Sequence, residues 1–395
     1  MKKRFLYNEV IKYLEHKNAL IITGMRQVGK TTLLKQIYDE VQHPKIWFDF
    51  DNPLDLLLFE NSNYEGIYSN LRKELNSKKH DRLFVFIDEI QNFPEITKII
   101  KYLIDKHAVK FLVTGSSNYY LKNLFHESLS GRKFLFILRP MEFKEYLYFN
   151  TNLPDLKINA LSKISSVKSV AIYEYKKHEN EYDNYLQYGG LPEVVLSDDF
   201  ETKRLVLKNI FTSFFEKDLR LLSDLSDIRE LRDLIILLSA RTGNILDVSK
   251  LSSELGINRV KTYSYLEFLQ GIFFIKLIPK YSKSIDRSIA GGRKVYFSDN
   301  GLLNIFAKIS SGQMFENAIA NQLLKYGELK YYNVRNTSEI DFILNNETAF
   351  EVKHKGSERD VFALKKICEK IGLKKHFVVS KEYVKGKGII FGSNL

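Results

Sequence analysis

Apolar residues fall into short unbroken runs in the first third of the chain and into helical or alternating spacings beyond it. Ala19-Leu20-Ile21-Ile22, Leu83-Phe84-Val85-Phe86-Ile87 and Phe111-Leu112-Val113 carry no polar break, as strands buried on both faces of a parallel sheet do. Ile46 to Phe50 and Phe134 to Leu138 read as two further strands. Phe5 to Leu14 and Thr32 to Val41 have the spacing of amphipathic helices. Strands that alternate with helices predict an α/β fold built on a parallel sheet.

The chemistry begins where the first strand ends. Gly24-Met25-Arg26-Gln27-Val28-Gly29-Lys30-Thr31-Thr32 follows the spacing G-x-x-x-x-G-K-[ST]. Glycines let such a loop turn its N–H groups onto phosphate oxygens, and the positive end of the next helix adds to that field. All nine residues are therefore candidate ATP contacts, with Lys30 on the β- and γ-phosphates and the Thr31 hydroxyl on Mg²⁺. The run at 83–87 ends in Asp88-Glu89, 58 residues after Lys30. Asp88 is placed to share the Mg²⁺ shell with Thr31, and Glu89 to polarise the attacking water. Arg132, ahead of the strand at 134–138, is a candidate finger on the γ-phosphate of a neighbouring copy, which would imply self-association; Arg26 is a weaker candidate for that electrostatic role.

Leu153 to Tyr185 is polar and reads as a solvated helix face or tether. Tyr188-Gly189-Gly190-Leu191-Pro192-Glu193 marks a fixed turn. From Asp227 the pattern becomes helical: one helix through Ile228–Gly243, a second over 247–255, a tight turn at Gly256-Ile257-Asn258, and a third over 259–270, followed by a strand over 272–278. That order is a winged helix-turn-helix. Its third helix is expected to turn Val260, Leu266 and Leu269 inward and to present Asn258, Arg259, Lys261 and Thr262 to DNA phosphates and base edges. Lys280, Lys283, Arg287, Arg293 and Lys294 continue the basic character.

Gln313 to Tyr326 reads as a helix carrying Glu316. Strands over 329–336, 339–344 and 348–354, a helix over 358–371 and a strand over 376–380 follow. A hairpin centred on Asn346 would set Asp341 opposite Glu351, with Lys353 on the same face. The order α-β-β-β-α-β is similar to the restriction-endonuclease-like fold. That resemblance implies that Glu316, Asp341 and Glu351 bind Mg²⁺ and that Lys353 helps to activate water for phosphodiester cleavage. A salt-bridge network, or a fold kept for DNA binding without cleavage, would use the same residues.

Length and composition limit these readings. A chain of 395 residues exceeds one core. The expected division is a nucleotide domain over 1–150, a helical segment over 151–225, a winged helix over 226–288 and the nuclease-like domain over 289–395. A net charge of +12 favours a polyanionic partner, DNA first. Cys368 is the single cysteine, so no disulfide framework is available and a reducing, cytoplasmic setting is expected. Met1 to Lys17 has no apolar core of the signal-peptide kind, and no apolar run is long enough for membrane insertion.

GMRQVGKTTL, FVFIDEIQN, LVTGSSN and SLSGRKFLFILRPMEF resemble the bacterial and archaeal AAA-type (AAA+) P-loop ATPases that carry a C-terminal domain of unknown function. The resemblance implies ATP hydrolysis with Mg²⁺. It places Ser116, Ser117 and Asn118 at the sensor position that contacts the γ-phosphate or the water. It also implies a helical lid, completed by Phe211 to Leu222, in which Gly190, Leu191 and Pro192 touch the adenine. Two functions fit: an ATPase acting on or signalling from DNA, or a regulatory nucleotide switch whose tail binds a protein partner and cleaves nothing.

Overall fold

The computed structural model of the chain describes residues 2–60, 63–78, 81–115, 129–151, 171–218, 225–284, 288, 291–334 and 338–395. Ser116, Ser117, Asn118 and Arg287 lie outside them. The chain divides into two compact units, Met1–Arg139 with Gly271–Phe273, and Pro140–Gln270 with Phe274–Leu395. No helix among the described residues is long and apolar enough to cross a membrane.

The first unit is built on a five-stranded sheet. Its strands are β1 (Ala19–Thr23), β2 (Lys45–Asp49), β3 (Phe84–Asp88), β4 (Lys110–Gly115) and β5 (Lys133–Ile137). They lie in the order β2-β3-β4-β1-β5, all parallel. The unbroken apolar runs are the buried strands: every residue of β1, β3 and β4 is buried. Helices α1 (Tyr7–Ile11), α2 (Lys30–Glu40), α3 (Tyr64–Glu74) and α4 (Ile96–His107) belong to the same unit, with a single turn of helix at Pro53–Leu56. On one face Ile21, Val85, Ile87, Phe111 and Val113 pack with Ile67 and Leu71 of α3 and Ile96, Ile100 and Leu103 of α4. A parallel sheet gathers the carboxyl ends of its strands along one edge. That edge holds the loop after β1, Asp88 at the end of β3 and Gly115 at the end of β4.

The second unit carries α5 (Phe143–Asn150), α6 (Glu179–Tyr188), α7 (Phe200–Asp218), α8 (Leu225–Ala240), α9 (Val248–Leu255) and α10 (Arg259–Gly271). An antiparallel pair follows, β6 (Ile275–Pro279) with β7 (Arg293–Phe297). After α11 (Asn300–Phe306) and α12 (Ser311–Leu323) come β8 (Leu329–Val334), β9 (Ser338–Leu344), β10 (Thr348–Lys353), α13 (Glu358–Ile371), β11 (Lys375–Ser380) and β12 (Ile389–Phe391). The last sheet has the order β12-β11-β10-β9-β8. One of its faces packs Phe342 and Phe350 with Phe315 and Ile319 of α12. The other packs Ile343, Ala349 and Val378 with Leu364 and Cys368 of α13.

The polar stretch before Tyr188 differs from its expected solvated form. Among its described residues, Tyr175, Tyr182 and Tyr185 are buried in the second unit's core. Tyrosine can bury its ring where its hydroxyl finds a partner. Tyr175 donates to the Lys381 carbonyl at 2.6 Å, and Gln322 donates to the Tyr182 hydroxyl at 3.4 Å.

Candidate nucleotide site and a charged cluster

Gly24 leaves β1 at φ 151° and Gly29 enters α2 at φ 93°. A Cβ at Gly24 would stand 2.0 Å from the Leu138 carbonyl oxygen, so only glycine fits there. Between them Met25 and Val28 are buried and Gln27 is exposed with φ 58°. Lys30 is 5% exposed and its ammonium donates to the carbonyls of Gly24 at 3.1 Å and Met25 at 2.9 Å. Its charge is thereby centred on the loop. Thr31 follows on the first turn of α2, and Thr32 faces solvent.

The loop and the end of β3 meet through side chains. The Thr31 hydroxyl donates to Asp88 Oδ2 at 2.7 Å. The Thr114 hydroxyl donates to Asp88 Oδ1 and accepts from the Glu89 backbone N–H at 3.2 Å. Burial pushes the Asp88 carboxyl above its ordinary range, against the two hydroxyl hydrogen bonds, and the charges of Glu89 and Asp49 add to the rise. Glu89 has φ 54° and ψ 50°, a region that non-glycine residues seldom occupy. Its carboxylate accepts from Gln91. Thr31 and Asp88 thus present two hard oxygen ligands side by side, the donor set that suits Mg²⁺.

Two residues of this constellation were given no role on sequence grounds. Thr114 is the polar residue that interrupts the end of an apolar strand, and that interruption is its sequence signal. Arg4 has no local signal. Its buried guanidinium donates to the Val28 carbonyl at 2.6 Å and to the Arg139 carbonyl at 2.8 Å, tying the amino-terminal segment to the loop. Arg132 lies at the opposite edge of the sheet. Its carbonyl accepts from Ala19 N–H at 2.8 Å, so the five residues of β1, about 17 Å of strand, separate it from its own loop. Its guanidinium pairs with Asp105 at 2.7 Å.

The turn at Gly190-Leu191-Pro192 is built into the second unit. Gly190 accepts from Met141 N–H at 2.7 Å and donates to Asp299 Oδ2 at 2.8 Å. A Cβ on Gly190 would sit 2.0 Å from the Met141 oxygen. Leu191 is fully buried, and Pro192 opens the short helix Pro192–Val195.

The carboxylates near the end of the chain converge as the hairpin spacing requires. Leu344 pairs with Thr348, Ile343 with Ala349 and Phe342 with Phe350, a register that places Asp341 against Glu351. Asp341 Oδ2 accepts from Val352 N–H at 2.8 Å, and Lys353 pairs with Glu351 at 2.8 Å. Lys294, one of the residues that continue the basic character after the third helix of the helix-turn-helix, has a side chain 5% exposed that lies among the acids. Its ammonium stands 2.9 Å from Glu339, 3.6 Å from Asp341 and 3.7 Å from Glu316. Tyr296, two residues along β7, donates to Glu316 at 2.7 Å. Burial, reinforced by the charge of Asp341, pushes the carboxyls of Glu316 and Glu351 each up to about 7. Burial lowers the Lys294 pKa, but Asp341, Glu316 and Glu339 outweigh it and the net shift is upward. Among the described residues no group of three or more acidic, histidine or cysteine side chains is set to hold a metal ion. Glu316, Glu339 and Asp341 gather around the Lys294 ammonium, and Glu351 pairs with Lys353 beside them.

The helix-turn-helix expectation is corrected in two places. Thr262 is fully buried and its hydroxyl lies 2.8 Å from that of Ser252, while Lys261 pairs with Asp227 at 2.7 Å and Glu230 at 2.6 Å. Val260, expected inside, is 79% exposed. Leu266 and Leu269 are buried as expected. Asn258 caps α10, accepting from Lys261 N–H at 2.8 Å, and Arg259 is exposed.

The parallel five-stranded sheet with its glycine-lysine loop defines a P-loop NTPase fold. Residues 16–147 match the family model described as an AAA domain, in keeping with an ATPase-like fold for that stretch. Residues 179–313 and 311–386 match two models described as domains of unknown function, DUF8612 and DUF4143. The uncharacterized protein MJ1544 of Methanocaldococcus jannaschii is 28% identical over 383 residues, 92% of this chain and 81% of that protein. An uncharacterized protein of Haemophilus influenzae is 26% identical over 373 residues, 89% of this chain and 87% of its own length. Among solved structures, the Thermotoga maritima RuvB Holliday junction branch migration motor aligns at 17% identity with a TM-score of 0.32, covering 69% of this chain and 87% of that one.

Proposed function

We propose that the chain binds ATP with Mg²⁺ on the loop after β1, hydrolyses it, and uses the cycle to act on or signal from DNA. One observation carries the first part: the hydrogen bond from Thr31 to Asp88 joins the loop to the end of β3 at hard oxygen ligands. When bound, Mg²⁺ would neutralise charge on the β- and γ-phosphates. Thr31 and Asp88 are the residues that would hold it. Backbone N–H groups of Gly24 to Thr32 and the Lys30 ammonium bind the phosphates. Thr114 holds Asp88 and the Glu89 backbone in place, and Glu89 orients the attacking water and receives its proton. Asn118 contacts the γ-phosphate or that water. Arg132 is too far from its own loop to serve it, so its finger role belongs to a neighbouring copy and implies self-association. Gly190 and Pro192 belong to the turn assigned to the adenine. The test is ATP turnover with and without duplex DNA. The reading expects Mg²⁺-dependent turnover that rises with DNA and is lost in Glu89→Gln; turnover that persists in that variant would contradict the assignment of Glu89.

The Lys294 ammonium favours a second reading: a regulatory nucleotide switch whose tail binds a protein partner and does not cleave nucleic acid. Cleavage by Glu316, Asp341, Glu351 and Lys353 would need a divalent cation where that ammonium now pairs with the acids. DNA incubated with Mg²⁺ or Mn²⁺ stays intact under this reading. Cleavage that Asp341→Ala abolishes would overturn it.

A further inference from the structure

The net charge of +12 is unevenly distributed. Residues 225–271, which include α8, α9 and α10, hold six lysines and arginines against six acids. Lys261, the cation best placed on α10, is neutralised by Asp227 and Glu230. Residues 355–387 hold ten lysines and arginines against four acids. Within this stretch α13 holds four lysines and arginines against three acids, and the larger excess lies in the residues that flank it.

Helical spacing sets Arg359, Phe362, Ala363, Lys366 and Lys370 along one stripe of α13. All five are exposed, and Phe362 is 58% exposed with the Lys366 ammonium 4.5 Å from its ring centroid. The stripe contains no acid. Glu369 lies on the flank and is engaged by Lys365 at 3.8 Å. Among the described residues no acid is paired with Arg359, Lys366 or Lys370. Beyond the left-handed Gly372 cap the exposed Lys374 and Lys375 prolong the stripe, and the Lys283 ammonium stands 3.8 Å from the place of a Gly372 Cβ. The opposite face of α13 is fixed to the sheet through Leu364, Cys368 and Ile371.

We infer that the exposed face of α13, rather than α10, is the surface that meets the phosphate backbone of duplex DNA. The inference rests on the DNA reading above and names its contact surface. From Arg359 to Lys370 the cations span about 16 Å, which matches about three to four successive phosphates along one strand of a duplex. Such contacts position a duplex without reading its sequence. An anionic membrane is the poorer occupant, because a membrane-surface helix inserts an apolar face, and the apolar face of α13 is already buried against the sheet.

The test is fluorescence anisotropy of a labelled duplex with the full chain over a range of KCl. Three proteins are compared: wild type, Arg359→Gln with Lys366→Gln and Lys370→Gln, and Lys250→Gln with Arg259→Gln. Glutamine keeps the helix, and circular dichroism checks that it does. The triple variant is expected to lose at least ~10-fold in affinity, with a log K against log salt slope shallower by about 2.7. The double variant should keep the wild-type slope. A wild-type slope in the triple variant, or a loss confined to the double variant, overturns the inference and leaves the DNA reading standing. No duplex binding by wild type overturns both, whether or not the chain binds vesicles containing phosphatidylserine.

Discussion

Lys30 and Thr31 stand out from spacing alone, because a glycine loop, a lysine and a hydroxyl at fixed intervals have few other uses, and the fold sets Thr31 against Asp88. Arg4 does not. Its partners, Val28 and Arg139, are 24 and 135 residues away, and no local pattern encodes such a contact. Arg4→Ala removes two charge-assisted hydrogen bonds and leaves two carbonyls of the loop region unpaired. A loss of about 1–3 kcal/mol in stability is expected, together with weaker ATP binding. Urea unfolding and an ATP titration measure the two effects; a variant unchanged in both would show that Arg4 does not support the loop. The burial of Lys294 was not legible for a related reason. Alternation along β7 shows that it shares a side with Tyr296, but not that acids from α12 and β9 gather around that side.

At the scale of elements, four strands of the first sheet lie within one residue of their expected limits and β4 runs two residues past Val113, since buried parallel strands are the plainest signal in the sequence. The hairpin of β9 and β10 was also legible, because a centre at Asn346 determines every pair. The face of α10 was not, since apolar residues occur on both of its sides and Val260 competes with Leu266 and Leu269. Two outcomes belong to this scale. Lys294→Met should destabilise the second unit by about 3–5 kcal/mol, because it leaves buried carboxylates without their cation. Chemical denaturation measures this, and an unchanged midpoint would argue against the cluster as an ion-pair network. Asp299 supports the turn at Gly190 and caps α11, accepting from Leu302 N–H at 3.1 Å. Burial pushes its carboxyl up to about 6, above the ordinary value of 3.8. Below about pH 4 both folded and unfolded states hold the proton. From there to about pH 6 the unfolded state gives it up first, so the group's contribution to stability falls as pH rises, by roughly 3 kcal/mol in all. Asp299→Asn should flatten that part of the stability curve relative to wild type; parallel curves would contradict it.

The whole molecule consists of a unit with a P-loop NTPase fold, whose residues 16–147 match the AAA-domain model, and a second unit that carries α13. Sequence reading recovered the α/β class and the nucleotide loop because local spacing specifies both. The distribution of charge over the second unit needed the fold, since it depends on which lysines are paired. The central claim is that magnesium nucleotide binds on the loop between β1 and α2 through the Lys30 ammonium. Isothermal titration calorimetry of wild type and Lys30→Ala with Mg²⁺-ATP tests it most directly. A saturable heat in wild type that disappears in Lys30→Ala is expected. No heat in wild type, or an equal heat in both proteins, would contradict the account.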